Sequence, residues 1–165
     1  MNIYILRHGI AVERENWKAL DDSVRPLTPK GKRQLKKSAV AMIKMKLRFD
    51  LILSSPFERA KKTAEIVAKE LNLKARLKFS DELQPDGNVK NLIRQLGESR
   101  AKNVLLVGHE PYLSGLISLL VSGGGNLAMD FKKGGVCKLE IEKLHFGPCA
   151  QLAWLLTPKQ MKLMK

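Results

Sequence analysis

The chain has little cysteine, few aromatic residues and no long apolar run. Its two cysteines, Cys137 and Cys149, lack the spacing of metal ligands, and we expect reduced thiols rather than a disulfide. No segment approaches the roughly 20 apolar residues of a membrane helix, and the early Arg7 and His8 do not fit a signal peptide. These absences argue against a disulfide scaffold and a membrane protein, and we expect a cytoplasmic protein.

Acidic residues are also scarce relative to basic ones. The chain has 30 Lys and Arg against 16 Asp and Glu, a net charge of +14, which predicts attraction to anionic partners at low salt. Apolar residues recur at helical spacing in the most basic segment, so its charges are predicted to form the solvated face of an amphipathic helix. With 5% aromatic residues and no nucleic-acid-binding motif, nucleic acid is not the expected partner. The basic residues of this segment are Lys30, Lys32, Arg33, Lys36, Lys37, Lys44, Lys46 and Arg48.

At 165 residues and 44% hydrophobic content, we expect residues 1–165 to form a single domain with a packed core. Strand patterns alternate with helix patterns, which predicts a three-layer α/β/α sandwich with a mostly parallel central sheet. Two further strand patterns separated by Gly147-Pro148 predict an antiparallel pair at the C-terminal end. The predicted strands are 2–6, 50–53, 75–79, 103–107, 136–141 and 150–156, and the predicted helices are 29–47, 56–71, 88–98 and 111–121.

Basic side chains follow three of the predicted strands. Arg7 and His8 end the first strand, Arg59 lies near the start of the helix after the second, and His109 follows the fourth. Ser55 is the predicted N-cap of the helix after the second strand, and Pro56 follows at the first helical position. Each feature alone has an ordinary interpretation, such as a basic turn, a capped helix or a structural histidine. Together, two histidines and two arginines at strand ends predict a site for a phosphate dianion.

A metal site is the competing interpretation of the two histidines. Arginine beside a ligand repels a cation, and the sequence has no cluster of carboxylates and histidines with ligand spacing. We therefore expect no metal.

In these residues and their surroundings, the chain resembles the histidine phosphatase superfamily, and within it the short SixA-like phosphohistidine phosphatases. The resemblance spans nearly the whole chain. Ile10 stands where many relatives carry an acidic residue, and Gly108 where some have serine, but neither departure removes a catalytic group. The matching motifs are LRHG at 6–9, DSVRPLTPKG at 22–31, SSPFERAKKT at 54–63, DELQPDG at 81–87, VGHEP at 107–111 and WLLTPK at 154–159.

The resemblance implies a covalent mechanism in which His8 attacks phosphorus and the resulting phosphohistidine is hydrolysed by water. It implies that Arg7, Arg59 and His109 complete the pocket and neutralise the transferring group, with Ser55 as a further phosphate-binding candidate. Positive neighbours would keep His8 neutral, as attack requires. No metal or nucleotide cofactor is implied.

Three further polar residues have open assignments. Glu82 is the candidate proton donor, Asp86 is the alternative, and a surface carboxylate at the mouth of the site is the ordinary interpretation of Glu82. Arg25 either reaches the rim of the pocket or braces the turn before the helix that Thr28 caps.

The substrate class follows from the length of one segment. Members that act on small metabolites commonly insert a capping segment before the acid motif, and here only residues 61–81 fill that gap, with no large cap. We expect a phosphohistidine-bearing protein, a phosphotransfer domain or carrier, as substrate. A phosphatase of small phosphorylated metabolites using the same His8 is the alternative. A non-catalytic basic module that binds phosphorylated protein or nucleic acid is the third possibility.

Overall fold

The computed structural model describes residues 1–18, 21–124 and 127–164. Six strands form one sheet in the order β3-β2-β4-β1-β5-β6. Strands β1 to β4 are mutually parallel, β5 runs antiparallel to β1, and β6 runs antiparallel to β5. The strands are β1 Asn2–Arg7, β2 Leu51–Ser54, β3 Leu77–Phe79, β4 Asn103–Gly108, β5 Val136–Ile141 and β6 Ala150–Leu156.

Five helices cover the two faces of the sheet. Side chains alternate along β1, where Ile3 and Ile5 pack in one cluster while Tyr4 and Leu6 pack in the other. The first cluster contains buried residues of α3 and α4, and the second those of α1, α2 and α5. The predicted three-layer α/β/α sandwich with its antiparallel C-terminal pair is confirmed. The helices are α1 Pro29–Lys44, α2 Glu58–Glu70, α3 Val89–Glu98, α4 Tyr112–Ser122 and α5 Pro158–Leu163.

Three element predictions were wrong in ways that have a local cause. The strand predicted over 75–79 covers only Leu77–Phe79, because Lys74–Arg76 forms a 3₁₀ turn. Helix α1 ends at Lys44 instead of 47, since Lys46 adopts a φ of 56° and turns the chain away. Helix α5 was missed, although the capping box of Thr157 with Gln160 is a recognisable start signal.

The start of α1 is pressed against the loop that follows β1. Thr28 caps the helix, as predicted, and its N–H donates to the Ile10 carbonyl over 2.9 Å. A Cβ on Gly31, in the first turn, would lie 2.2 Å from the same oxygen. This contact fixes the chain immediately after His8, which is why the first turn of α1 carries a glycine.

Cys137 is buried, and both Cys137 and Cys149 are free thiols in this structure. In the described ranges, no helix is both long and apolar enough to cross a membrane.

Candidate active site

The carboxyl ends of β1, β2 and β4 bring the predicted site residues together. Parallel register places Arg7 opposite Gly108 in the central pair of strands. The N–H of His8 donates to the carbonyl of Gly108 over 3.0 Å, and the N–H of Ser55 donates to that of Val107 over 2.9 Å. The sheet's own hydrogen bonding therefore continues through the first residue of each loop and fixes the backbone at the site.

The two histidines lie side by side in the interior. His8 and His109 are 6% and 2% exposed, and their ring centroids are 5.2 Å apart. The ring of Phe57 contacts His109 edge-on with centroids 5.3 Å apart, and the guanidinium of Arg59 lies over Phe57 at 5.3 Å. The Phe57 ring thus packs against both Arg59 and His109.

The hydrogen bond of His8 determines which of its nitrogens can react. Nδ1 lies 2.8 Å from the carbonyl oxygen of Gly9. A carbonyl only accepts, so the ring proton of neutral His8 resides on Nδ1 and the lone pair on Nε2. Nε2 is therefore the nitrogen available for attack.

Both histidines are neutral at physiological pH. Burial, together with the charges of Arg59, Arg7 and Arg25, lowers the pKa of His8 to about 3, although its bond to the Gly9 carbonyl works the other way. Burial, followed by the charges of Arg59 and His8, lowers the pKa of His109 to about 3. Both imidazoles are thus kept unprotonated by their surroundings.

Arg7 is held by the loop before β5. Its Nη1 donates to the carbonyl of Phe131 over 2.6 Å, while the N–H of Gly134 donates to the carbonyls of Arg7 and His8 over 3.0 and 3.1 Å. Gly134 has a φ of 77°, a conformation that favours glycine. The loop therefore fixes both the backbone and the guanidinium at the end of β1.

Arg59 is held by an acidic residue that sequence reasoning did not single out. Nη1 donates to the main-chain carbonyl of Asp22 over 2.8 Å, and Nη2 pairs with its Oδ2 at 2.9 Å. The other carboxylate oxygen accepts from Nε of Arg25 over 2.7 Å. Asp22 thus joins two arginines and holds their planes in fixed orientations.

The charge state of Asp22 suits this position. Burial raises the pKa of its carboxyl, but the hydrogen bond from Arg25 and the charges of Arg59 and Arg25 outweigh burial, so the pKa is lowered. Asp22 is consequently ionised in the folded protein near neutral pH.

Both arginines retain a buried donor that no described residue accepts. Nε of Arg7 and Nε of Arg59 are buried without a hydrogen-bond partner in the described part of the chain, and so is Nδ1 of His109. An unpaired buried N–H costs about 1–3 kcal/mol. An anion with several oxygens would satisfy these groups, which makes this a site suited to phosphate.

Ser55 lies in the site, but its predicted role as a helix cap was wrong. Helix α2 begins at Glu58 with Phe57 as its N-cap, because the Ser55 hydroxyl is directed to Nε2 of His109 at 2.9 Å. The same oxygen accepts the N–H of Phe57 over 3.3 Å. Ser55 therefore orients His109 and closes the turn that leads into α2.

Arg25 and Glu82 occupy different surroundings. Arg25 bonds Asp22 and donates from Nη1 to the Val12 carbonyl over 2.7 Å, which ties the rim of the site to the loop after β1. Glu82 accepts from the N–H of Asn88 over 2.9 Å and from Nδ2 of Asn91 over 3.2 Å.

Neither acidic candidate bonds to the histidines. In the described ranges, the hydrogen bonds of Glu82 go to the start of α3 and none reaches His8 or His109. Asp86 is exposed. The structure therefore brings Arg7, His8, Arg59, His109, Ser55 and Arg25 into one connected cluster, with Glu82 anchoring a neighbouring helix.

Three contributors to the site were missed by sequence reasoning: Asp22, Phe57 and Thr63. The Thr63 hydroxyl accepts the N–H of Gly9 over 3.0 Å and donates to the carbonyl of Arg59 over 2.7 Å. It thereby connects the loop of the nucleophile to α2. All three lie within the motifs that carry the family resemblance, which was the signal that could have found them.

The pKa values of the two histidines predict that the protein loses stability in mild acid. A histidine in the unfolded chain has a pKa of about 6.5. Below that pH the unfolded state binds protons that folded His8 and His109, with pKa values of about 3, do not. The free energy of unfolding therefore falls with decreasing pH, with a slope approaching about 1.4 kcal/mol per pH unit for each histidine. Urea unfolding between about pH 7 and 5 measures this slope.

The matched control is the third histidine of the chain. His145 is exposed, and His145→Gln should keep the wild-type slope. The double variant His8→Gln/His109→Gln should have a flatter dependence, because glutamine does not titrate. A double variant with an unchanged slope would contradict the assignment of two buried neutral histidines.

The chain matches known proteins over most of its length. The profile of the histidine phosphatase superfamily (branch 1) matches residues 3–84. Phosphohistidine phosphatase SixA of Escherichia coli K12 is 29% identical over 168 residues, covering 100% of this chain and 99% of that protein. An uncharacterised protein of Picosynechococcus is 33% identical over 142 residues, 84% of each chain.

The fold has close counterparts among solved structures. The protein histidine phosphatase SixA complexed with tungstate has a TM-score of 0.83 and 27% identity, covering 98% of this chain and 100% of that one. The α-ribazole phosphatase of Shigella flexneri shares the fold with a TM-score of 0.76, at 20% identity and with 96% and 97% of the chains covered. From the family profile, the full-length match and the fold together, the chain belongs to the histidine phosphatase superfamily and is a SixA-like phosphatase.

Proposed function

We propose that the protein removes phosphate from phosphohistidine carried by another protein, through a covalent intermediate on His8. The observation that carries the proposal is the orientation of this side chain. Its Nδ1–H is fixed on the Gly9 carbonyl, and Nε2 holds a lone pair because burial, helped by three arginine charges, lowers the pKa of the ring and keeps it neutral. A neutral imidazole nitrogen in a cationic pocket is equipped to attack phosphorus.

In the first step, Nε2 of His8 forms a bond to phosphorus while the bond from phosphorus to the substrate nitrogen breaks. The substrate ring keeps that electron pair, and when its other nitrogen is protonated it departs as neutral imidazole. Positive charge builds up on the His8 ring and is relieved through the Gly9 carbonyl, which accepts from Nδ1. Arg7, Arg59 and His109 bind the transferring oxygens and neutralise their charge.

In the second step, water attacks phosphorus, the bond to Nε2 breaks, and inorganic phosphate leaves with His8 restored. Ser55 acts by orienting the imidazole of His109, whose Nδ1 has no partner among the described residues. When Nε2 of His109 accepts a hydrogen bond from the Ser55 hydroxyl, the ring proton resides on Nδ1, which donates to the phosphoryl group. Arg25 supports Arg59 at the rim through their shared partner Asp22.

The surroundings of Glu82 favour phosphohistidine over a phosphate ester. An ester releases an alkoxide, which needs a proton from an acid as it departs. Glu82 is the candidate donor, but its two oxygens accept from Asn88 and Asn91, and none of its hydrogen bonds in the described ranges reaches the histidines. A departing imidazole that already carries a proton on its other nitrogen needs no acid from the enzyme, so the site as built suits a nitrogen leaving group.

The short connection after α2 favours a protein-borne phosphate. Between α2 and the 3₁₀ turn Asp81–Leu83 the chain forms only another 3₁₀ turn and the three-residue strand β3. The site therefore lacks a covering segment from this connection, which leaves room for a partner's surface. The match to phosphohistidine phosphatase SixA covers 100% of this chain over 168 residues, so SixA has no long added segment in this connection.

A comparison of two peptides with the same sequence tests this proposal. One carries phosphohistidine and the other phosphoserine at the same position. We expect kcat/KM to favour the phosphohistidine peptide by at least about a hundredfold, the contribution that a general acid makes to release of an alkoxide. Equal or faster turnover of the phosphoserine peptide, or of a small phosphate ester such as α-ribazole phosphate, would make the protein a phosphomonoesterase instead.

Removing the carboxylate of Asp22 tests how Arg59 is positioned. Asp22→Ala should lower kcat on the phosphohistidine peptide by about a hundredfold, because a misplaced guanidinium no longer matches the transition state. Asp22→Asn keeps an acceptor for one arginine and should lose about tenfold. Binding of inorganic phosphate should not weaken in either variant, since a nearby negative charge has been removed. Kinetics and phosphate titration by calorimetry measure the two effects.

The neighbouring Asp21 provides the control with the same change of charge. Among the described residues its carboxylate bonds only to Ser23, whose main-chain N–H and side chain both donate to it, and asparagine caps a turn equally well. Asp21→Asn should therefore retain wild-type kcat within about twofold. Parallel losses of kcat in the Asp21 and Asp22 variants would mean that net charge, and not the bond to Arg59, is responsible.

A further inference from the structure

Helices α1 and α5 form a groove whose walls are basic. The groove has a volume of about 370 Å³ and lies between Lys30, Arg33 and Lys37 of α1 and Lys159 and Lys162 of α5. No carboxylate lines it, and all five cations are exposed. We call this surface the α1/α5 groove.

The five cations are not neutralised from within the protein. Within residues 1–18, 21–124 and 127–164, none of them pairs with an aspartate or glutamate. Helix packing nevertheless holds them around one groove, where like charges repel one another. An anionic occupant would relieve that repulsion.

The α1/α5 groove adjoins the active site. A Cβ placed on Gly134 would lie 3.4 Å from Pro158 and 3.9 Å from Gln34, two residues that line the groove. The N–H of Gly134 bonds the carbonyls of Arg7 and His8. Gly134 therefore connects the lining of the groove to the backbone of the proposed nucleophile.

A second groove, which adds apolar side chains to its lysines, continues the first along α1. It has a volume of about 320 Å³ and shares Lys37 and Lys162 with the α1/α5 groove. Val40, Ala41 and the methionines of α5 and its C-terminal end line it, and Val40 is 44% exposed. Helix α1 has 16 residues and a length of about 24 Å. Along its several turns, basic side chains extend from the active site to the apolar side chains of the second groove.

This pattern fits an acidic amphipathic helix better than nucleic acid or lipid. An acidic helix would place carboxylates against the lysines and apolar side chains on the floor around Val40. No aromatic side chain lines either groove, so there is no platform on which bases would stack. A flat bilayer surface cannot follow a concave groove between two helices.

We propose that the α1/α5 groove and its apolar extension dock an acidic amphipathic segment of the phosphohistidine-bearing substrate protein. This inference rests on the proposed function and adds the surface that recognises the substrate. Docking beside Gly134 presents the partner's phosphohistidine to His8. The groove acts on association with the protein substrate and has no part in bond breaking.

The test uses two phosphohistidine peptides of about 25 residues, long enough to reach from the active site along α1. One carries an amphipathic segment with glutamates on its polar face, and the other has glutamine in their place. We expect the wild type to have a KM at least about tenfold lower for the acidic peptide at low salt. In about 0.5 M NaCl, where charges are screened, the difference should largely disappear.

The variant Lys30→Glu/Arg33→Glu/Lys159→Glu removes the proposed recognition. Lys30 and Lys159 lie in the first turns of α1 and α5, where glutamate suits the helix dipole, so the variant is expected to fold. It should lose the preference for the acidic peptide while its kcat on phosphoramidate, a small substrate that does not reach the groove, changes less than about twofold.

The matched control reverses three exposed cations at the opposite end of the sheet. Lys78→Glu/Arg100→Glu/Lys102→Glu changes the net charge equally and lies beside the start of β4 and in the edge strand β3. This variant should keep the wild-type preference for the acidic peptide. An equal loss in both variants would show that overall charge, and not the groove, attracts the substrate.

Binding of the unphosphorylated acidic peptide separates this inference from the proposed function. If the wild type hydrolyses neither phosphohistidine peptide, the proposed function fails, whereas fluorescence anisotropy still reports whether the groove binds the acidic helix. If hydrolysis proceeds but the groove variant binds and turns over the acidic peptide like the control, the docking surface is wrong. Tighter binding of RNA or of anionic vesicles than of the peptide would also overturn it.

Discussion

The site depends on two fixed guanidinium groups beside two buried imidazoles. Arg59 is 4% exposed, and Arg7 is tied down by the Phe131 carbonyl, so neither charge is free to move into solvent. Burial of the rings, reinforced by arginine charges, lowers the pKa of both His8 and His109 and keeps them neutral. A neutral imidazole within a cationic pocket is the combination that the proposed attack on phosphate requires, because the charge complements phosphate and the lone pair remains available.

The surrounding fold supplies what that arrangement requires. Sheet hydrogen bonds to the end of β4 extend into the loops after β1 and β2, and the left-handed Gly134 closes the loop over Arg7 and His8. Asp22 provides the carboxylate that Arg59 needs, and its second oxygen holds Arg25. The basic face of α1 begins next to this machinery, so the charge that distinguishes the composition is placed where the proposed docking of a substrate protein would use it.

Much of this arrangement was predictable because it follows from periodicity and strand ends. Alternating strands and helices fix a parallel sheet, and residues after its strands must meet at one edge, which is how His8 and His109 were found together. The partners of the arginines were not predictable from pattern. Asp22 lies in a 3₁₀ turn, and only tertiary folding brings it to Arg59, 37 residues away in the chain.

Two side-chain environments in and near the site depend on contacts that the sequence pattern does not show. Ser55 has the residue type and the following proline of a helix cap, but a buried histidine competes for its hydroxyl, and tertiary contact prevails over local propensity. Glu82 sits in a motif position that suggests an acid, while the neighbouring Asn88 and Asn91 occupy its oxygens. Such roles are decided by side-chain hydrogen bonds to residues that are distant in sequence or lie across a turn. These bonds cannot be predicted from the residue pattern of one sequence.

The claim that His8 is the covalent nucleophile is tested most directly by trapping the phosphoenzyme. Rapid quenching in alkali during turnover of a phosphohistidine peptide, followed by mass spectrometry, should find one phosphoryl group on Nε2 of His8. The adduct should be lost in acid and absent from His8→Ala. Turnover without any phosphorylated His8, or a phosphoryl group on another residue, would contradict the account.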